Sequence, residues 1–287
     1  SPEVSKYFGK IIRNWINSEG NLKNIIEIGS GTGSLIEQIG IKEITAVELS
    51  STAREELIKK GIDTHTTINE LTTKTSDLIF GNEILDNIPC SIGLYKDEGW
   101  YEKVVLLEEN SLAYGLRPIR NEELDWINKN NIFPNEDYEF EIQVNIDKFL
   151  NSVIKKINPE KILLFDYGYE QKNRDKRMYS SLLRTYKNHH LSVDPIDDPG
   201  NIDITYDVNF SSISSELKYL GYDVTLKLQR DFLLDNGFNI FFDELQEKYI
   251  DAEGIEKLKI NSELNGMKAI VDSNGLGGFY CLIAEKL

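Results

Sequence analysis

Three glycines at alternate positions follow a short segment rich in isoleucine near the start of the chain. Gly29, Gly31 and Gly33 come directly after residues 24–28. Glycine lets the backbone turn tightly and lets a ligand lie against the main chain. The spacing differs from the Gly-x-Gly-x-x-Gly of dinucleotide-binding folds, and no lysine follows as a phosphate-binding loop would require. The pattern favours a loop that binds the sugar or carboxypropyl part of a nucleoside cofactor.

A carboxylate stands at the end of the next apolar segment. Glu48 lies near the end of the second predicted strand, over residues 44–49, and comes 19 residues after Gly29. In dinucleotide-binding folds, a carboxylate about 20 residues after the first glycine binds the ribose. The alternative is a tight strand–helix turn with an incidental surface glutamate. We predict a nucleoside-cofactor site formed by Glu27, Gly29, Ser30, Gly31, Gly33, Glu48 and Leu49.

Polar residues also lie at the carboxyl end of the third clear predicted strand, over residues 77–83. Asn82 offers an amide donor and an acceptor, Glu83 offers a carboxylate, and Asp86 follows three residues later. Ligands bind at the carboxyl ends of the strands in open α/β sheets, so these groups could hold an amine or a guanidine. The alternative is that Asn82 and Asp86 only cap the helix after the strand. We interpret Asn82, Glu83 and Asp86 as candidate catalytic residues.

Alternating strand and helix patterns must position these residues. Apolar residues at spacings of three and four predict a helix over residues 4–18, and Gly61 ends a predicted helix over residues 51–60. The alternation indicates an α/β fold with a mostly parallel, doubly wound sheet. Residues 268–285 predict an antiparallel C-terminal hairpin, whereas residues 169–207 lack a periodic pattern and predict an irregular loop.

The same pattern predicts one domain over residues 1–287 with inserted segments. No internal repeat or low-complexity linker divides the chain. We expect its parts to be an N-terminal helix in residues 1–20, a cofactor-binding half in 21–90, and two insertions at 91–140 and 169–210 that cover the substrate.

The composition excludes several classes of protein. The chain has 287 residues and a formal net charge of −16, which argues against nucleic-acid binding through a broad basic surface. A basic substrate would be attracted, unless the acidic side chains only solvate the surface. Two cysteines and three histidines lack the spacing of a disulfide framework or a metal site, so we expect no metal.

The location of the protein is predicted from the same data. No apolar run reaches the roughly 20 residues of a membrane span, so we expect no membrane association. The chain shows no recognisable targeting segment. We expect a cytoplasmic protein in a bacterium or an archaeon, and a protein of the mitochondrial matrix in a eukaryote.

Four segments resemble the MidA-like class I methyltransferases, bacterial proteins with mitochondrial relatives linked to respiratory complex I assembly. They are Ser-Pro-Glu-Val-Ser at residues 1–5, the glycine loop at 27–33, the polar segment at 81–89, and a long segment at 183–210. The resemblance implies a Rossmann-like fold that binds S-adenosylmethionine (SAM). For the mitochondrial relatives it suggests arginine methylation on a protein partner.

The resemblance also implies roles for the matching residues. The loop glycines would lie along the methionine part of SAM, and Glu48 would hold the ribose. The polar residues after the third strand would face the methyl-transfer end. Arg184 could instead form a structural ion pair with a nearby aspartate, and His190 could be an ordinary loop histidine. A segment covering the site would contribute the substrate-binding residues Arg184, His190, Asp198 and Asp203.

The sequence therefore favours a SAM-dependent methyltransferase that N-methylates a protein or peptide, with arginine as the preferred acceptor. One alternative is a methyltransferase that acts on a small molecule or a peptide natural product. Another is a catalytically silent assembly factor that retains the fold. A dinucleotide oxidoreductase is disfavoured by the glycine spacing.

Overall fold

A computed structural model describes residues 1–109, 111–133, 137–176, 182–187, 190–191 and 194–287. The strands of these residues are β1 (Ile25–Ile28), β2 (Ile44–Val47), β3 (Thr64–His65), β4 (Leu78–Asn82), β5 (Ser91–Lys96), β6 (Gly99–Glu108), β7 (Ser111–Pro118), β8 (Tyr138–Ile142), β9 (Lys161–Asp166), β10 (Gly168–Tyr169), β11 (Leu183–Lys187), β12 (His190–Leu191), β13 (Asp203–Tyr206), β14 (Val208–Asn209), β15 (Tyr222–Leu228) and β16 (Tyr280–Lys286). Their helices are α1 (Tyr7–Ser18), α2 (Ser34–Ile39), α3 (Ser51–Lys59), α4 (Asn121–Lys129), α5 (Val144–Ile157), α6 (Phe210–Tyr219), α7 (Gln229–Asp235), α8 (Phe238–Asp251) and α9 (Gly254–Val271).

Two compact units make up the fold, and each is built from more than one stretch of the chain. The first contains Ser1–Ile84, Ser152–Tyr167 and Leu217–Leu287, and the second contains Leu85–Asn151 and Gly168–Glu216. The described parts of the expected insertions, residues 91–140 and 169–210, lie in the second unit. Residues 85–90, which we expect in the cofactor-binding half, belong to the second unit as well.

A seven-stranded sheet runs through the first unit. Its strand order is β15-β16-β9-β4-β1-β2-β3. β1 pairs in parallel with β2 and β4, and β4 pairs in parallel with β9. β16 runs antiparallel to β9 and β15. All four residues of β1 are buried, as expected for a parallel strand covered on both faces. The predicted fold class, a mostly parallel α/β sheet with an antiparallel part near the C-terminus, is confirmed.

The antiparallel part is not the local hairpin predicted over residues 268–285. The first residues of that range end helix α9, and β16 pairs with β15, which precedes α7, α8 and α9 in the chain. Leu264, Met267 and Ile270 are buried at helical spacing, and this apolar face favours a helix up to Val271.

Helix α1 packs its apolar side into the core of the first unit. Phe8, Ile11 and Ile12 are fully buried. The helix begins at Tyr7 rather than at Val4, because the amides of Val4 and Ser5 donate to the Ser1 carbonyl at 3.2 and 3.4 Å and form a separate turn.

The second unit contains a four-stranded antiparallel sheet in the order β7-β6-β5-β8. Phe140 and Ile142 of β8 cluster with Trp126 and Ile127 of α4, so one face of this sheet packs against that helix. Alternate residues of a strand point to opposite faces. The odd-numbered residues of β6 and the even-numbered residues of β7 therefore lie on the other face.

The described parts of residues 169–207 contain short strands, so the prediction of one irregular loop over this range is wrong. β11 pairs antiparallel with both β12 and β13, with Arg184 opposite Thr205, and β10 pairs with β14. These strands are short, and the pairings of β11 with β13 and of β10 with β14 join residues distant in the chain, so no local periodicity marks them.

An aromatic cluster at β9 provides a test of the fold. Phe165 is 2% exposed, and its ring centroid lies 5.2 Å from that of Phe8 and 5.1 Å from that of Phe232. Phe165→Ala is expected to lower the free energy of unfolding by about 3–5 kcal/mol. Leu258→Ala, at a position that is 70% exposed, is expected to change it by less than about 0.5 kcal/mol. Urea denaturation measures both, and equal losses would contradict the packing described.

Candidate active site

The glycine loop turns directly out of β1. Gly29, Gly31 and Gly33 have φ angles of 71°, 53° and 84°, the left-handed region that favours glycine. A Cβ atom at Gly29 would lie 2.3 Å from Ile84 Cγ2, whereas one at Gly31 would meet nothing within 4 Å. Gly29 is therefore required by packing, and Gly31 leaves open space beside the main chain.

The Glu48 carboxylate lies against this loop. Its Oε2 accepts a hydrogen bond from the Gly31 amide at 2.8 Å, and its Oε1 accepts one from the Ser50 amide at 2.7 Å. Arg54 donates to the carbonyls of Glu48 and Leu49 at 2.8 and 2.6 Å. The side chain of Leu49 is 76% exposed, so it presents an apolar surface next to the carboxylate.

A cavity of about 150 Å³ lies over the loop. It belongs entirely to the first unit and encloses less space than the ~300–1,000 Å³ of a typical small-molecule site. The cavity could therefore enclose only one part of a nucleoside ligand. The lining residues are Pro2, Glu3, Glu27, Gly29, Ser30, Gly31, Thr32, Ser34, Leu35 and Asn82.

Sequence reasoning assigned no site role to the N-terminal residues of this lining, Pro2 and Glu3. Pro2 is held through its carbonyl, which accepts from Gln38 Nε2 at 2.8 Å. The Ser1 hydroxyl donates to Gln229 Oε1 at 3.0 Å. The pattern that marked these residues was the Ser-Pro-Glu segment of the family resemblance. Tyr7 is buried and donates to Glu263 at 3.1 Å, and it does not line the cavity.

Glu27 places a buried carboxyl group in the cavity wall. Its Oε2 has no hydrogen-bond partner among the described residues. Burial raises the pKa of Glu27 well above its usual value, and the nearby Glu48 charge acts in the same direction, whereas a hydrogen bond from Ser30 opposes it. A cationic ligand group would stabilise the ionised form of this carboxyl.

In the first unit, Asn82 is the last residue of β4 and Glu83 directly follows it. Asn82 Nδ2 donates to Glu83 Oε1 at 3.1 Å, while Asn82 Oδ1 is buried without a partner among the described residues. Glu83 has a φ of 54°, a left-handed conformation that costs an ordinary residue roughly 1–2 kcal/mol. Its amide donates to the Phe165 carbonyl at 2.8 Å, which holds the strained backbone in place. Strain of this kind is typical of functional sites.

The second unit contains a larger cavity of about 960 Å³. Asp86, Arg184 and Tyr206 are among its lining residues. Asp86 accepts a hydrogen bond from Asn87 Nδ2 at 2.8 Å, and Tyr206 donates to the carbonyls of Leu85 and Ile88 at 3.0 and 2.6 Å. The Tyr206 hydroxyl therefore fixes the backbone on both sides of Asp86.

The four predicted substrate-binding residues have different surroundings. Arg184 is 3% exposed and donates to Asp207 at 2.7 Å. It therefore forms a structural ion pair, as the alternative interpretation expected, and it also lines the cavity. Asp198 accepts from Asn201 Nδ2 at 2.9 Å within a turn, and Asp203 is exposed on β13. Neither aspartate lines the cavity. His190 lies on β12, and its side chain is outside the described residues.

No group of three or more potential metal ligands occurs among the residues that the structure describes. In the same part of the chain, no helix has the length and apolar character needed to cross a membrane.

The first unit thus defines a class of protein. A β1 strand that turns through glycines, a carboxylate from the end of β2 on the loop amide, and a cavity at the carboxyl ends of the strands together describe a Rossmann-like protein with a nucleoside-cofactor site.

Comparisons with known proteins refine this class. A model for a family of S-adenosyl-L-methionine-dependent methyltransferases matches residues 8–225. A crystal structure of a Burkholderia thailandensis protein bound to S-adenosyl-homocysteine has a TM-score of 0.84 at 21% identity and covers 100% of this chain and 78% of that chain. A native structure of an uncharacterized protein of the same superfamily and organism has a TM-score of 0.83 at 21% identity, with 100% and 80% covered. No curated protein gives a significant match.

The chain belongs to this family of SAM-dependent methyltransferases, because the match extends over most of its length. Membership confirms the predicted enzyme class and the SAM cofactor, and the shared fold with the Burkholderia thailandensis structures agrees with the resemblance to MidA-like proteins. The assignments of individual site residues stay predictions.

The loop glycines give a paired test. Gly29→Ala is expected to lower the free energy of unfolding by roughly 2 kcal/mol or more, because the methyl group clashes with Ile84 in an unfavourable backbone conformation. Gly31→Ala is expected to cost only about 1–2 kcal/mol and to weaken SAM binding, since its methyl group enters the space beside the loop. Denaturation and calorimetric titration separate these effects, and similar stability losses would argue against the geometry.

Burial of Glu27 predicts a pH-dependent stability. Its folded pKa lies above the ordinary 4.5, so the folded state retains a proton that the unfolded state has lost. The stability that this proton confers is complete below pH 4.5. It decreases by up to about 1.4 kcal/mol per pH unit as the pH rises from 4.5 to the pKa of Glu27 in the folded state. Glu27→Gln is therefore expected to be more stable than the ligand-free wild-type protein at neutral pH, with the difference vanishing in acid. Thermal unfolding across pH measures this difference, and a constant one would contradict the assignment.

Proposed function

We propose that this enzyme transfers the methyl group of SAM to a nitrogen atom of a protein or peptide, with arginine as the favoured acceptor. The observation that carries the proposal is the acid-rich cavity of the second unit. Its described lining includes four carboxylates and two cationic side chains, so acidic groups are in excess: Asp86, Glu102, Glu139 and Asp194 against Lys103 and Arg184.

The loop cavity of the first unit fits the cofactor. The unpartnered Glu27 oxygen suits the amino group of the methionine part, and the open space at Gly31 admits its chain against the backbone. Each Glu48 oxygen accepts one backbone hydrogen bond among the described residues and has a further lone pair that can accept from a ribose hydroxyl. The exposed Leu49 side chain offers an apolar surface to the adenine base.

The chemistry requires little more than positioning. When bound, SAM supplies an electrophilic methyl group on a sulfonium. The acceptor nitrogen contributes the electron pair of the new nitrogen–carbon bond, the carbon–sulfur electrons remain on sulfur, and a proton leaves the nitrogen. The task of the protein is to hold the nitrogen in line with the methyl group and to receive that proton.

Two carboxylates on one chain segment support the proposal. Glu83 directly follows β4 and its amide donates to the Phe165 carbonyl of β9, and Asp86 follows three residues later as a lining residue of the larger cavity. Carboxylates accept charge-assisted hydrogen bonds from a guanidinium group in a fixed geometry. We assign orientation of the acceptor to Asn82, Glu83 and Asp86.

A small cationic molecule or a peptide natural product is the second candidate acceptor. The volume of about 960 Å³ falls within the range of small-molecule sites, so the cavity could enclose such a substrate completely. An assembly factor without turnover is the outcome if SAM binds and every acceptor stays unmodified.

The proposed role of Asp86 in orienting the acceptor can be tested with Asp203, a predicted substrate-binding residue, as the control. Asp86→Asn is expected to lower kcat for an arginine-containing peptide on the order of 10²-fold, without changing SAM affinity. Asp203→Asn, at an exposed position outside the cavity, is expected to retain nearly full activity. Mass spectrometry of the peptide, which detects the mass of one added methyl group, provides the rate.

The measurement also decides between the candidates. Modification of small amines with none of arginine or peptides would favour the second candidate. Equal activity of Asp86→Asn and the wild-type enzyme would remove Asp86 from the site.

A further inference from the structure

An apolar surface continues from the larger cavity along the hairpin of β6 and β7. Val105 and Tyr114 line the cavity and face each other across the hairpin. Leu107 lies two residues beyond Val105, about 7 Å farther along the strand. Leu116 lies two residues from Tyr114 and opposite Lys103. Alternation places all four apolar side chains on one face of the hairpin, and we name Val105, Leu107, Tyr114 and Leu116 the hairpin strip.

The side chains of the hairpin strip are apolar, yet they are exposed. The exposed fraction is 51% for Val105, 75% for Leu107, 39% for Tyr114 and 47% for Leu116. β7 is also an edge strand in the order β7-β6-β5-β8. A long edge strand with exposed apolar side chains is an aggregation site unless something covers it. The opposite face of the sheet packs on α4, so the strip is the face that remains open to a partner.

Acidic groups at the cavity end of the strip determine which charge is favoured on a partner. Tyr114 donates to Asp194, and the Ile196 amide donates to the same carboxylate at 3.2 Å, so these described partners of Asp194 are neutral groups. Lys103 Nζ lies 3.2 Å from Glu139 Oε1 and 4.6 Å from the Tyr114 ring centroid. Lys103 therefore already neutralises Glu139, whereas Asp194 is bonded to neutral groups among the described residues, so a cationic side chain of a partner is favoured beside Asp194.

We infer that the hairpin strip docks an extended polypeptide segment in which apolar residues flank a basic acceptor residue at alternate positions. The inference rests on the proposed function, which supplies the acceptor. Alternate side chains of an extended chain are about 7 Å apart on one face, and the strip has the same spacing. Four side chains expose much less than the ~800 Å² that each partner buries in a standard protein interface. A short segment therefore fits the strip better than a second copy of this chain.

The experiment uses two fluorescein-labelled peptides with one central arginine. One carries leucine at the alternate positions on both sides of the arginine, and the other carries serine there. Fluorescence anisotropy with the whole chain and saturating S-adenosyl-homocysteine measures binding without turnover. The wild-type protein is expected to bind the leucine peptide at least about tenfold more tightly.

A matched pair of variants locates the effect. Leu107→Ser with Leu116→Ser changes two exposed residues outside the cavity lining and is expected to abolish the leucine preference while S-adenosyl-homocysteine binding is retained. Ile255→Ser with Leu258→Ser, at positions that are 74% and 70% exposed in the first unit, is expected to keep the preference.

Several results would overturn the docking inference. These are equal binding of the two peptides, no binding of either at high micromolar concentration, and an unchanged preference in the Leu107 and Leu116 variant. A dimer in light scattering that this variant converts to monomers would assign the strip to a second copy of the chain.

Failure of the proposed function has a different signature. Methylation of both peptides at equal rates, without a leucine preference in binding, rejects the docking surface alone. A leucine preference without any methyl transfer rejects arginine methylation and leaves the docking surface standing.

Discussion

The parallel register of β1 with its two neighbours is the constraint on which the rest of the site depends. β1 lies between β2 and β4, with Ile28 opposite Val47 and Glu27 opposite Phe80. The carboxyl ends of these strands therefore meet at one edge of the sheet. The Gly29 amide donates to the Val47 carbonyl at 2.8 Å, so the turn begins within the pairing itself. The loop glycines and the end of β4 consequently line one cavity.

Unfavourable local features are concentrated at this cavity. Glu27 is a buried carboxyl group with a raised pKa, and Glu83 has a left-handed backbone conformation. Each feature costs stability in the absence of a ligand, and the apolar core around Phe8, Phe165 and Phe232 offsets it. A rigid core that holds such groups in place prepares the site for a cationic ligand before it binds, which reduces the cost of ordering on binding.

Family membership defines the cofactor and the type of reaction, whereas the acceptor site that we propose lies in the second unit, which has a different architecture. The second unit joins an antiparallel sheet with the short strands around Arg184. Its buried Arg184–Asp207 pair fixes the segment that lines the larger cavity, so Arg184 combines a structural contact with a place in the lining. In our proposal, the acid-rich cavity and the apolar hairpin face recognise charge and shape together, and this combination is the basis of the polypeptide acceptor.

The sequence by itself determined the features that local pattern encodes. The strand–glycine–helix transition, the carboxylate at Glu48 and the polar end of β4 follow from periodicity and spacing along the chain. They predicted the fold class and a nucleoside-cofactor site, whereas SAM itself was implied by the family resemblance. Only the tertiary structure decided which distant residues meet. It brought Pro2 and Glu3 to the loop cavity, paired β11 with β13, and separated Asp203 from the larger cavity that Asp86 lines. Contacts between residues far apart in sequence depend on how whole elements pack, and no local periodicity records that packing.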